Sequence, residues 1–345
     1  MRRFLPVIVL ILIAPLVAEL LGGSTPITLP IAWPFLLPIY SAGALLIREL
    51  VRRRGRGWAS ILLLGAVYGL IEEGLATQSL FNPTLYNASH WGARIFGING
   101  VYTEFVIVIH AIWSVAIPIL LTDLLFPAQR NVPYLGRIGL IVTGICYVLS
   151  FALLWVTAIG FIAPGYMAPP ILHILVVLIV IVLVVVALGV LPRKAPGSRL
   201  LVSAPQPWVV LLVSGIAAFL WLALLGMLWW VQPAFARWPL VLFPMLSALA
   251  VLGVMIWLVR QWAQSRDWSD RHLLALCSGA LVSHTLVGIL VITHTTADRV
   301  GLIVLGLVMI VLLVLFAIRV RARVRSDDSP SAESGSSPVV PRTVG

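Results

Sequence analysis

The sequence predicts an all-α fold, a polytopic bundle of membrane-spanning helices. Three observations carry this prediction: hydrophobic residues make up 61% of the chain, charged residues only 10%, and the mean hydropathy is +1.08. A soluble globule of 345 residues needs more polar surface than this. The apolar residues also form runs of about 20, the length that crosses a hydrocarbon core of about 30 Å.

The apolar runs predict about ten spans. Pro34 and Pro38 interrupt the second run. A cleaved leader would need small residues at its cleavage site, but Glu19 and Leu20 follow Ala18, so we interpret the first run as a retained span. The predicted spans are 4–22, 33–50, 58–78, 100–126, 137–163, 170–192, 207–230, 238–260, 272–294 and 299–320.

The basic residues predict the orientation of the bundle. When the spans alternate in direction, Arg94, Arg237 and Arg299 fall on one side and the other 20 of the 23 basic residues on the opposite side. This is the positive-inside bias, and it predicts a multi-pass protein of the cell (inner) membrane with both termini cytoplasmic. The net charge of +11 therefore indicates topology and contact with the lipid bilayer, not nucleic-acid binding.

The chain divides into a transmembrane domain, 1–325, and a short tail. The tail, 326–345, is rich in Ser and Pro, which predicts a disordered cytoplasmic segment. The longest outer connection, 77–99, mixes aromatic residues with Asn, Gly and Pro. It is expected to form either a lid or re-entrant segment at the lipid interface, or a plain surface loop with aromatic anchors.

Adjacent carboxylates on the third span give the chemical hypothesis. Residues three, four and seven apart share a helix face, which groups Gly65 and Gly69 with Glu72 and Glu73. Small residues permit close helix packing in lipid, so both carboxylates are expected to point into the bundle. A charged residue at the bilayer centre costs about 2.5–3.5 kcal/mol, and residues that carry this cost are functional candidates.

Depth in the membrane selects two histidines as partners. At a rise of about 1.5 Å per residue, Glu72 and Glu73 lie roughly 8–12 Å below the outer end of their span, and His110 and His284 lie at about 15 Å. We predict that these four residues form a catalytic or ion-binding cluster open toward the outer side. The sequence assigns no cofactor and leaves metal dependence open.

Three further charged residues receive a structural interpretation. Arg48 and Glu49 lie at the inner end of the second span and are expected to form a local ion pair at the interface. Asp123 lies at the inner end of the fourth span and is expected to reach water.

Two resemblances accompany these residues. The segments AELLGGSTP (18–26), GALLIRELVRRRGRGW (43–58) and YGLIEEGLATQSLFNP (68–83) resemble a group of uncharacterised polytopic bacterial membrane proteins. This likeness covers about the first 140 residues and implies no activity.

The second resemblance is to the CPBP family of intramembrane proteases, the CAAX-processing and bacteriocin-immunity group. That family carries Glu-Glu-x-x-x-Arg, Phe-x-x-x-His and His-x-x-x-Asn/Asp motifs, which hold a water for peptide hydrolysis with a Glu as base. Glu72 and Glu73 match the pair, while Thr77 occupies the Arg position, and Phe105 precedes His110 by five residues instead of four.

The third CPBP motif has two candidates here. His294 with Asp298 has the family's spacing but lies at the outer edge of the membrane. His284 lies deeper and has Gly288 four residues later.

Three functions remain open at this point. A glutamate-dependent intramembrane hydrolase would cleave a membrane peptide, with Glu72 or Glu73 as base and His110 and His284 holding the water. A proton- or cation-coupled transporter would use the same residues as its ion site. A non-catalytic scaffold or immunity-type protein would use the cluster only to fix helix register.

Overall fold

The all-α prediction is confirmed. The computed structural model describes residues 4–86, 91–193 and 203–328, and within these ranges ten helices occupy the predicted positions. They are α1 Leu5–Leu20, α2 Trp33–Arg53, α3 Trp58–Ala76, α4 Gly100–Leu125, α5 Arg137–Ile162, α6 Pro170–Val190, α7 Pro207–Gly226, α8 Leu242–Trp262, α9 Asp270–Ile292 and α10 Thr296–Asp328.

Eight of these helices, α3 to α10, are long and apolar enough to cross a membrane. The other two differ for separate reasons. Helix α1 is apolar but has fewer than 18 residues, and α2 has 21 residues but carries Arg48, Glu49, Arg52 and Arg53 in its last turns. Both pack into the bundle beside spanning helices, so the first two predicted spans are present as helices with these departures.

Three spanning helices form the centre of the bundle. The most apolar stretch of α4 is 72% buried inside the protein, against 61% for α3 and 56% for α9. The corresponding stretches of α5, α6, α8 and α10 are 17% buried or less, as expected for helices that face lipid. Most of the later spans therefore expose much of their surface to lipid, while α9 belongs to the interior.

Glycines set the closest helix contacts, as the sequence predicted for α3. A Cβ added at Gly65 would lie 2.7 Å from Ala111 of α4, and one at Gly69 would lie 3.0 Å from the Cβ of His110. Between α7 and α9 the backbones touch at Gly279, where a Cβ would lie 2.3 Å from the carbonyl oxygen of Leu211. These approaches bring the polar face of α3 directly against α4.

Charged residues at one end of the bundle, here called the basic end, form a buried ion cluster. Arg48 and Glu49 are both fully buried, and Asp123 is 3% exposed. Arg48 Nε lies 3.0 Å from Asp123 Oδ1, and Arg52 Nη2 lies 2.7 Å from Asp123 Oδ2. Asp123 therefore does not reach water, and Arg48 and Glu49 lie inside the protein, not at the interface as expected. The local ion pair predicted for Arg48 and Glu49 is present, with Nη1 3.7 Å from Oε1.

These charges are buried because the connection between α4 and α5 folds over the cluster. Arg48 donates to the carbonyl oxygens of Val132 and Gln129, and the carboxylate of Glu49 accepts from the backbone N–H of Tyr134 at 2.6 Å. The Arg48 guanidinium lies 3.2 Å from the centre of the Tyr134 ring. Burial raises the pKa of Tyr134, so its hydroxyl stays protonated and donates to Asp123.

At the opposite end, the chain after α3 folds back into the bundle. Residues Thr77 to Asn82 are all buried, and the backbone N–H of Leu80 donates to the carbonyl oxygen of Glu73 at 3.3 Å. A two-stranded hairpin, β1 Arg94–Ile95 and β2 Ile98–Asn99, follows, and Asn99 N–H donates to Leu80. The first half of the 77–99 connection is thus a re-entrant segment over the carboxylates, one of the two predicted alternatives.

The first three residues of the predicted tail are helical. Helix α10 continues to Asp328, so residues 326–328 are helical, because each residue added to an existing helix gains a backbone hydrogen bond. The remainder of the predicted disordered tail lies outside the described residues.

The contact at Gly279 gives a stability prediction. We expect Gly279→Ala to lower the free energy of unfolding by about 1–3 kcal/mol, because the added methyl group meets the backbone oxygen of Leu211. Thermal unfolding of the purified protein in detergent measures the loss. Gly253→Ala is the matched control, since a Cβ there meets nothing within 4 Å, and equal melting temperatures for the two variants would contradict the packing.

The basic-end cluster gives a second prediction. Asp123→Asn should destabilise the protein by about 3–5 kcal/mol, because it leaves buried arginine charge without its counter-ion. Unfolding in detergent, followed by tryptophan fluorescence, reports the change. Arg53→Gln removes a pair with Glu49 in which Arg53 is 31% exposed and should cost about 0–1 kcal/mol. A similar cost for both substitutions would show that burial of the cluster is not what stabilises this end.

Candidate functional site

The helices that carry the predicted site change geometry at the site itself. Residues Glu72–Ala76 of α3 and His110–Ala116 of α4 form π-helical turns, in which each N–H bonds to the carbonyl five residues earlier. Such wider turns inside α-helices occur frequently at functional sites. Here they turn Glu72, Glu73 and His110 toward one another, where the glycine face of α3 meets α4.

Glu73 is the most fully bonded carboxylate of the site. Its Oε1 lies 3.2 Å from His110 Nε2, and its Oε2 accepts hydrogen bonds from Thr77 at 3.1 Å and Tyr102 at 3.2 Å. The hydroxyl of Ser79 donates to the same Oε2. The re-entrant segment therefore supplies two hydroxyl donors to this carboxylate.

Glu72 occupies a different environment. Its Oε1 lies 2.9 Å from the hydroxyl of Tyr40 on α2, while its Oε2 lies 3.7 Å from His110 Nδ1 and makes no hydrogen bond to the described residues. His110 Nδ1 also lies 3.1 Å from the hydroxyl of Ser114. His110 thus stands between the two carboxylates, with one ring nitrogen toward each.

The network continues through Tyr40 to a third carboxylate. The Tyr40 hydroxyl is within hydrogen-bonding distance of both Glu72 and Glu19 of α1, and Glu19 Oε2 accepts from Thr25 at 2.8 Å. We call the set Glu19, Tyr40, Glu72, His110 and Glu73 the glutamate–histidine network. Four helices, α1 to α4, contribute to it.

Charge balance distinguishes this network from the basic-end cluster. Glu72 and Glu73 are 4% and 8% exposed, and among the described residues their one cationic neighbour within 4 Å is the imidazole of His110. One imidazolium balances one carboxylate. A second buried negative charge would carry a desolvation cost of several kcal/mol, so the network is chemically suited to hold a proton or a small cation.

The fourth predicted residue, His284, is not joined to the others. Its ring packs on Trp113, with ring centres 5.0 Å apart, and against Gly22, where a Cβ would lie 2.5 Å from the imidazole. His284 Nδ1 is buried without a hydrogen-bond partner among the described residues. No ion pair or hydrogen bond links it to Glu72 or Glu73 within the part of the chain that the structure describes.

In the alternative third motif, His294 with Asp298, the aspartate is engaged in helix capping. Asp298 accepts from the Thr295 hydroxyl at 2.5 Å, and Asp298 N–H donates to that hydroxyl at 3.1 Å. This reciprocal pair satisfies the first turn of α10. Asp298 also accepts from Thr28, which ties α10 to the connection after α1.

Sequence reasoning missed most of the partners of the carboxylates. Depth along the spans selects His110 and His284 and does not indicate Glu19, Tyr40, Tyr102 or Ser79 as partners. Two features of the sequence could have indicated some of them: Tyr40 lies on the second apolar run, eight residues before Arg48, and Thr77 and Ser79 follow Glu73 by four and six residues. Their convergence depends on the re-entrant fold, which the sequence left as one of two alternatives.

The network has no evident metal-binding geometry. Within the described residues, no group of three or more His, Cys, Asp and Glu side chains is arranged to hold a metal ion. Its oxygen atoms are instead matched with hydroxyl and imidazole groups that exchange protons.

Fold and site together define a multi-pass α-helical membrane protein with a buried acid–histidine network. Residues 8–190 match the model of an uncharacterized membrane protein family, and the chain belongs to that family. The matched segment contains the whole glutamate–histidine network.

One relative is similar to a shorter part of this chain. An uncharacterized protein of Archaeoglobus fulgidus is 28% identical over 120 residues, which are 33% of this chain and 36% of the relative. The similarity therefore spans little more than a third of the relative's length. No solved structure matches the chain.

Proposed function

We propose that the protein is a proton-coupled transporter whose glutamate–histidine network binds and relays the proton. The family assignment supports a membrane protein, and the buried carboxylates supply an ion site in the spanning region. The strong bias of basic residues toward one end supports an inner-membrane protein with both termini cytoplasmic.

The observation that carries the proposal is the position of Tyr40. Its hydroxyl lies between carboxylate oxygens of Glu19 and Glu72, yet a phenol has a single proton to donate. Both contacts are hydrogen bonds only when one of the two carboxyl groups carries a proton of its own. The arrangement thus favours one shared proton that can pass from one carboxyl to the other through the phenol.

The proposed relay crosses four helices, and one of its steps, from Glu72 to His110, is longer than a hydrogen bond. From Tyr40 the path runs to Glu72, across 3.7 Å to His110 Nδ1, through the imidazole to Nε2, and on to Glu73 at 3.2 Å. An imidazole accepts a proton on one nitrogen and releases one from the other, as proton relays require. Each proton transfer moves the charge to a different helix. Protonation can therefore bias the packing of α1 and α2 against α3 and α4.

The proposal is tested by proton flux in proteoliposomes. With a potassium diffusion potential as driving force and a pH-sensitive dye inside, the wild-type protein should acidify or alkalinise the lumen faster than protein-free vesicles. Tyr40→Phe and Glu73→Gln should each return the flux to the protein-free level, because each interrupts the relay.

Two matched controls accompany this test. Tyr147→Phe removes a phenol whose ring lies 6.2 Å from that of Tyr68 but which makes no hydrogen bond to the described residues. Glu104→Gln removes a carboxylate of α4 whose two oxygens are likewise without hydrogen bonds there. Both should keep wild-type flux. Wild-type flux in Tyr40→Phe, or a flux driven by a sodium gradient and indifferent to pH, would contradict proton relay.

The second candidate is the glutamate-dependent hydrolase similar to CPBP proteases. The direct pairing of Glu73 with His110 favours it, since a carboxylate and an imidazole side by side can hold and activate a water. Two positions depart from the family pattern: Thr77 hydrogen-bonds Glu73 where that family has an Arg, and His284 lies on Trp113.

Cleavage of a membrane peptide substrate distinguishes the candidates. A hydrolase should lose cleavage in Glu73→Gln and His110→Ala but retain it in Tyr40→Phe, whose hydroxyl does not contact Glu73 or His110. If neither the wild type nor any variant cleaves the peptide or conducts protons, the non-catalytic scaffold is favoured.

A further inference from the structure

A groove on the lipid-facing side of the bundle lies apart from the glutamate–histidine network. It has a volume of about 490 Å³ and is formed by the start of α7, one face of α9 and one face of α10. All of its lining residues fall between Gln206 and Arg321, outside the segment that matches the family model. Its volume is within the range of about 300–1,000 Å³ that small-molecule sites occupy.

The walls of the groove are apolar stripes with helical spacing. On α10 they comprise Ile310, Val314 and Ala317, and on α9 Leu274, Ser278 and Val282. Residues separated by three, four or eight positions share one face of a helix, so each stripe is continuous. The Ser278 hydroxyl is satisfied by the carbonyl of Leu274, which leaves the wall without a free polar group at that point.

The length of the groove matches one leaflet of a bilayer. The segments from Arg271 to Val282 and from Ile310 to Arg321 each rise through eleven residue-to-residue steps, about 16 Å of helix. Half of a hydrocarbon core is about 15 Å. A single acyl chain that lies along the groove therefore spans it from the bilayer centre to the interface.

The mouth of the groove is basic. Arg271 and Arg321 line it at the basic end of the bundle, both are exposed, and neither makes an ion pair or hydrogen bond with the described residues. Trp208, 64% exposed, lies beside them, where aromatic residues meet lipid headgroups.

The acidic residues near the mouth are already engaged. Asp270 binds Arg130 at 2.9 Å and 2.5 Å, and Asp267 accepts from the backbone N–H of Ala204. None of the lining residues is acidic. Among the residues whose side chains the structure describes, Arg271 and Arg321 thus have no counter-ion, and two such guanidinium groups suit a phosphate group through paired N–H donors.

We propose that this groove is a binding site for one anionic phospholipid, with its phosphate at Arg271 and Arg321 and an acyl chain along α9 and α10. The basic mouth favours an anionic lipid over a zwitterionic one, and the length of the apolar walls favours an acyl chain over a peptide. The site does not depend on the proton relay, because no residue is common to the two.

Native mass spectrometry of the detergent-purified chain tests the site with phosphatidylglycerol and phosphatidylcholine of equal chain length. We expect one phosphatidylglycerol per chain to bind preferentially. Because each arginine near an anionic headgroup contributes about fivefold in affinity, Arg271→Gln with Arg321→Gln should weaken phosphatidylglycerol binding by roughly thirtyfold. Binding of phosphatidylcholine should not change.

Two further variants separate the parts of the site. Arg260→Gln with Arg319→Gln removes the same charge from exposed arginines outside the groove and should leave binding intact. Ala317→Trp fills the part of the groove proposed for the acyl chain without a change in charge, and it should abolish lipid binding.

Three results would overturn the proposal. They are equal binding of the two lipids, equal loss in the Arg260/Arg319 pair, and displacement of phosphatidylglycerol by soluble glycerol phosphate, which would show that a phosphate alone is recognised.

Discussion

The contact between Glu73 and His110 is the interaction on which the rest of the bundle depends. A carboxylate inside a membrane needs a partner, and this one is reached because Gly65 and Gly69 let α3 lie against α4. The π-helical turns at Glu72–Ala76 and His110–Ala116 then direct the side chains inward. The re-entrant segment after α3 closes over the pair and supplies its remaining hydrogen bonds.

The two ends of the bundle bury charge in opposite ways. At the basic end, Arg48 and Arg52 satisfy Asp123 directly, and backbone carbonyls accept from the terminal amino groups of Arg48, so the charges are fixed in place. In the glutamate–histidine network the acids outnumber the cations, and Glu72 retains an oxygen without a hydrogen bond to the described residues. The first arrangement stabilises a fold, whereas the second can change its protonation state at modest structural cost.

The order of residues along the chain predicted the architecture. It indicated the positions of ten helices, the inward glycine face of α3, and the shared depth of Glu72, Glu73 and His110. Lateral contacts were beyond the sequence. It could not indicate that His284 faces Trp113 instead of the carboxylates, or that Tyr40 reaches Glu72 across helices. It also assigned Asp123 to water, because the fold of the α4–α5 connection over Arg48 has no local pattern in the sequence.

Infrared difference spectroscopy of the wild-type protein and its Glu72→Gln variant tests the central claim most directly, namely that the network holds a proton beside Tyr40. The account predicts a protonated carboxyl band in the wild type near neutral pH. The contribution of Glu72 to that band should shift in Tyr40→Phe, disappear or change strongly in Glu72→Gln, and remain in Glu104→Gln, which removes only the contribution of Glu104 itself. A wild-type spectrum without any protonated carboxyl group, or a band that only Glu104→Gln removes, would contradict it.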